Sequence, residues 1–143
     1  MQFQPILSII TIAFVILSTS VTKTAEPTKP TLVDVQRIWD KAPHNAFTDL
    51  IRHKDHWYCV FREGRGHVSP DGALRVITSV DGKQWTSKAL ISSATHDLRD
   101  AKVTVTPQGK LLLNGAGMIA DAKIRYQSMS WLSNDDGATW DNG

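Results

Sequence analysis

The sequence predicts an all-β fold in which antiparallel sheets of four short strands repeat along the chain. Three observations predict it. No stretch past Pro30 carries a long helical period, although a short helix is expected over Leu32 to Ile38. The remainder reads as short apolar or alternating runs punctuated by Gly, Pro, Asn and Asp. The same order of runs and turns occurs twice, and its closing tryptophans, Trp85 and Trp140, stand 55 residues apart.

The chain opens with a nearly apolar run, Ile6 to Leu17, followed by Ser18, Thr19 and Ser20. This run is too short to span a bilayer but suits the core of a signal peptide, with cleavage after Ser20 or Ala25. Residues 1–25 are therefore expected to be a signal peptide and residues 26–43 a lead-in segment. The Pro-containing stretch Glu26 to Thr31 is read as an extended spacer.

In the first unit, about 44–92, Phe47 to Ile51 is a strand and His53 to Asp55 a polar turn. Trp57 to Phe61 is an unbroken apolar run, as in a strand covered on both faces. Arg62 to Gly72 is expected to be a loop. Ala73 to Val80 alternates, with Leu74, Val76, Thr78 and Val80 on one face. Asp81-Gly82 turns the chain into a fourth strand, Trp85 to Ile91. In the second unit, about 97–143, Ala101 to Thr106 alternates with Val103 and Val105 inward. Thr106 to Gly109 turns, Lys110 to Leu113 is a strand, Gly115 to Ala122 a loop, and Ile124 to Leu132 a third strand. Asp135-Asp136-Gly137 turns again before Trp140, and a fourth strand is missing. Small sheets of this period cannot bury both faces alone, so they stack as β-propeller blades, here one full blade and most of a second. Trp39, Trp57, Phe61 and Trp131 are expected in the core.

The segment Ser133 to Trp140 carries the pattern Ser-x-Asp-x-Gly-x-x-Trp, and Thr78 to Trp85 is a degenerate copy with Val80 at the first Asp. In such a turn an Asp carboxylate accepts backbone N–H groups, Gly supplies a positive φ, and Trp folds back as an apolar plug. Over residues 44–143 the chain resembles the sialidase-like, Asp-box (BNR) β-propellers. The resemblance implies about two blades of a six-bladed propeller, the N-terminal part of a longer protein, with the Asp boxes structural and remote from the substrate.

In an antiparallel blade the Asp-box turns lie at one end, so the chemistry belongs at the other. There the loops Arg62 to Gly72, Ser92 to Arg99 and Gly115 to Ala122 gather Arg62, Glu63, Arg65, His67, Asp71, His96, Asp97, Arg99 and Asp100. The resemblance implies arginines that grip a sugar carboxylate bidentately, a Tyr–Glu nucleophile in later blades, and a loop Asp as acid/base. Asp71 occupies the region of that loop Asp, although Pro70-Asp71-Gly72 is also an ordinary turn sequence. Arg99-Asp100 resembles the family's Arg-Asp-Pro entry, with Ala101 in place of Pro. Asp71 and Asp100 are thus the candidate catalytic carboxylates, and Arg62, Arg65, Arg99 and His67 the candidate substrate-binding groups. In the family's first-blade Phe-Arg-Ile-Pro motif, Phe47 matches and Thr48 stands where Arg is expected.

Cys59 stands alone, so no internal disulfide is possible. No metal-ligand spacing occurs, and no metal or cofactor is expected. A net charge of +2 argues against nucleic acid, and no membrane contact beyond the signal peptide is expected. The expected function is that of a secreted or periplasmic sialidase-like exo-glycosidase with a glycan substrate. The alternatives are a non-catalytic glycan- or protein-binding propeller, or a truncated remnant.

Overall fold

A computed structural model of the chain describes residues 29–119 and 126–141; the expected signal peptide lies outside them. Residues 34–143 form one compact unit. The described fold is all-β. Sheet 1 holds β1 (His44–His53), β2 (His56–Gly64), β3 (Ala73–Ser79) and β4 (Thr86–Ile91) in that order, each antiparallel to the next. Sheet 2 holds β5 (Asp97–Val105), β6 (Leu111–Met118) and β7 (Tyr126–Ser133), again in sequence order and antiparallel.

The core lies between the sheets. Tyr58, Val60, Leu74 and Val76 of sheet 1 pack against Leu98, Ala101, Val103, Leu111, Leu113 and Trp131 of sheet 2. Each fully buried aliphatic side chain contributes roughly 1.5–3 kcal/mol. The alternate residues Cys59, Phe61 and Ile77 point to the other face of sheet 1, where Ile38, Trp39 and Trp85 cover them. Both faces of β2 are therefore dry, which explains its unbroken apolar run. Trp39 is fixed there: its Nε1 donates to Glu63 Oε2 at 3.2 Å, and Arg75, ion-paired to Glu63, stacks on its ring.

Several sequence expectations need correction. Leu32 to Ile38 is not a helix; residues 31–40 have no regular structure. Asp34 accepts the N–H of Val35 and the amide of Gln36, local bonds that compete with a helix, while Ile38 and Trp39 dock on sheet 1. Arg62 to Gly64 are the end of β2 rather than a loop, and Gly115 to Met118 the end of β6. Gly115 is needed for close approach: a Cβ there would lie 2.9 Å from the Arg99 carbonyl. Val80 lies beyond the end of β3 and is 65% exposed; Val105, at the end of β5, is also exposed. Trp57 is half-buried, with Arg52 stacked on its ring, whereas Trp131 and Phe61 are buried.

The two tryptophan turns share one hydrogen-bond scheme. In the second, Ser133 Oγ donates to Asp135, Gly137 N donates to Ser133 Oγ, Thr139 N donates to Asp135, and Trp140 Nε1 donates to the Gly137 carbonyl. In the first, Ser79, Asp81, Gly82, Gln84 and Trp85 make the same bonds. Asp81 therefore fills the role for which the sequence pattern had offered Val80. The first turn is one residue shorter, and the additional residue of the second is Asp136.

Asp136 is where the sheets join at this end. Its carboxylate receives Lys54 Nζ at 2.7 Å and lies 3.3 Å from His53 Nε2, and its carbonyl accepts the Tyr58 hydroxyl at 3.0 Å. Midway, Asp49 Oδ2 accepts the N–H of Val103 at 3.0 Å and so ties β1 to β5.

Candidate functional site

The loop end of the sheets is organised by one carboxylate. Asp97 opens β5, and its side chain is 1% exposed between two arginines. Its Oδ1 accepts Arg62 Nη2 at 2.9 Å and Arg62 Nε at 3.2 Å. Its Oδ2 accepts Arg99 Nε at 2.7 Å. A buried charge is tolerable only when paired and hydrogen-bonded in this way. Glycine at 72 makes room, because a Cβ there would overlap Asp97 Oδ1.

Arg62 is fully buried in β2. Its Nη1 donates to the Gly66 carbonyl and its Nη2 to the Ser69 carbonyl, at 2.9 and 3.0 Å. All three of its nitrogens are engaged, so it staples the β2–β3 loop to β5 and presents no surface to a ligand. Its expected substrate-binding role is replaced by a structural one. Arg99 differs. Its side chain is 14% exposed, and its Nη2 lies 2.6 Å from Asp97 Oδ2, completing the ion pair.

Arg65 and Asp71 sit together at the surface, with Arg65 Nε donating to Asp71 Oδ2 at 3.1 Å. The Ser69 hydroxyl, together with the N–H and guanidinium of Arg65, holds the Asp71 carboxyl below its ordinary 3.8. Both line an open cleft of about 330 Å³ with Lys41, Glu63, Leu90 and Ser92. His67 is exposed, its ring 5.5 Å from His44 and 5.6 Å from Phe47. Asp100 is exposed at a bulge in β5, with φ of 55°. Thr48 does not join the arginines; it lines a small apolar cleft with Trp39 and Phe61. The loop after β6 lies largely outside the described residues.

The structure thus joins Arg62 to Arg99 through Asp97, and Arg65 to Asp71. Asp97 had only its place in a charged loop to recommend it, because nothing local marks which carboxylate two distant arginines will share. His44, whose Nε2 is buried without a partner, was missed altogether.

No family model and no curated protein matches the chain. Its fold is similar to that of a crystallised protein of unknown function from Dyadobacter fermentans DSM 18053. The two are 22% identical with a TM-score of 0.59, over 69% of this chain and 35% of the other. The chain spans about a third of that protein's length, and the likeness extends to the fold alone.

Proposed function

We propose that this chain forms the first two blades of an Asp-box β-propeller that recognises acidic glycans outside the cytoplasm, as a sialidase-like exo-glycosidase. The observation that carries the functional reading is Arg99. It is oriented by the buried Asp97 and, unlike the fully buried Arg62, keeps part of its side chain exposed at the loop end. A guanidinium held in this way suits a carboxylate-bearing sugar. The propeller reading is supported by the two turns with one bonding scheme, each closing a meander of the same strand order. Asp71 and Asp100 are the carboxylates available for proton transfer.

One observation favours a second reading, a non-catalytic glycan-binding propeller. Asp71 is kept ionised by Ser69 and Arg65, which is the wrong state for a general acid at neutral pH. The test uses the intact protein, 3′-sialyllactose for binding and a fluorogenic sialoside for hydrolysis. Binding and turnover, with Arg99→Ala weakening binding about tenfold or more, support the enzyme. Binding without turnover supports the second reading. Loss of neither binding nor turnover in Arg99→Ala, or no binding by the native protein, overturns the proposal.

A further inference from the structure

Four non-glycine residues among those described have φ in the left-handed region: Phe47 at 59°, Lys54 at 53°, Asp100 at 55° and Asp136 at 56°. Lys54 and Asp136 are turn residues, and they form an ion pair with each other between the sheets. Phe47 and Asp100 have no such explanation. Each sits at a bulge in the first strand of its sheet, between Ala46 and Asp49 in β1 and between Arg99 and Lys102 in β5. A left-handed φ is a marked outlier for a bulky residue such as Phe. It costs of the order of 1–3 kcal/mol and persists where the surrounding fold imposes it, often beside a ligand. A bulge re-aims the side chain it carries.

The two bulges are neighbours. The bond from Val103 N to Asp49 Oδ2 holds β1 against β5 two residues after Phe47 and three after Asp100. Both lie toward the loop end, and Asp100 follows Arg99 directly. Phe47 is 43% exposed, with the His67 ring 5.6 Å away and tilted 48° to it. Among the described residues, the exposed Asp100 carboxylate has no hydrogen-bond or ion-pair partner.

We propose that Phe47 and Asp100 form a sugar subsite, Phe47 as the stacking face for a pyranose ring and Asp100 as the acceptor for its hydroxyl groups. The subsite rests on the carbohydrate reading above and adds to it two contact residues and their mode of contact. An aromatic face meets the C–H side of a ring, and a free carboxylate takes the hydroxyls at its rim, so recognition extends beyond any acidic group held by Arg99.

The test is titration of the intact protein with 3′-sialyllactose and with lactose, followed by calorimetry and by amide NMR. Phe47→Asn and Asp100→Gly are the variants, because Asn and Gly occupy a positive φ readily and preserve the fold. Each is expected to hold or raise the Tm while lowering affinity about tenfold, and Phe47→Trp to keep affinity. Unchanged affinity in Phe47→Asn and Asp100→Gly overturns the subsite. If Arg99→Ala alone abolishes binding, the subsite falls and the glycan reading stands. If the native protein binds neither sugar, the glycan reading falls and takes the subsite with it.

Discussion

At the residue scale, the charged group that matters most is the one water does not reach. Asp97 shares its two oxygens between Arg62 and Arg99, and removing one partner of such a cluster leaves an uncompensated buried charge. Asp97→Asn is expected to cost about 3–5 kcal/mol in thermal or denaturant unfolding. Replacing Arg62 by Met and Asp97 by Leu together should recover part of that loss; a double variant no more stable than the single would refute the assignment. Gly72→Ala tests the same cluster sterically, since its new Cβ would overlap Asp97 Oδ1. A loss of about 1–3 kcal/mol is expected. The turn carboxylates act in the opposite, solvated regime. The hydroxyl and N–H of Thr139, with the Ser133 hydroxyl, lower Asp135 from 3.8 to about 2, and Asp81, Asp136 and Asp71 are lowered as well. A depressed pKa contributes stability that is full above the unfolded value and lost as pH falls through the folded one. The Tm should therefore drop between about pH 4 and pH 2, and Asp135→Asn should flatten that drop in a pH series of melts.

At the element scale, turn length decides what a turn can touch. The first turn spans Ser79 to Gly82 and the second Ser133 to Gly137, both closed by the same tryptophan bond. The inserted Asp136 turns a local hairpin closure into a contact between sheets by reaching Lys54, His53 and Tyr58. Tyr58→Phe removes only the hydroxyl bond to the Asp136 carbonyl and should cost about 1 kcal/mol in denaturant unfolding. In Tyr58→Phe combined with deletion of Asp136, the two effects should not add, because the deletion removes the carbonyl that the hydroxyl bonds. Additive effects would show that the turn and sheet 1 are energetically independent.

At the scale of the whole molecule, the sheets stack in sequence order, and each face has its own character. Tyr58, Val60, Leu74 and Val76 of sheet 1 meet sheet 2. On the remote face of sheet 2, in contrast, Ser130 Oγ donates to Asn114 Oδ1. The driest element is β2, covered by sheet 2 on one side and by Ile38 and Trp39 on the other. Amide hydrogen exchange should therefore be slowest in β2 and fastest in residues 31–40 and the edge strand β4. Slow exchange throughout β4 would contradict this ranking.

What the sequence determined by itself is what short-range chemistry controls. The strand order, the turns at Lys54, Gly82, Gly109 and Gly137, and the burial of Phe61 and Trp131 are legible, because side-chain period and turn residues act within a few positions. The gathering of arginines and carboxylates at one end is legible too, since antiparallel connectivity places alternate loops together. The tertiary structure alone decided which charges pair. Arg62 belongs to Asp97, 35 residues away, and Asp136 to Lys54, 82 residues away. Such partnerships depend on how two sheets meet, and no local pattern records that. Packing likewise assigned Gly115 to a strand, exposed Val80, and docked Ile38 and Trp39 on sheet 1 without a helix: long-range contacts outweigh the weak preferences of single residues.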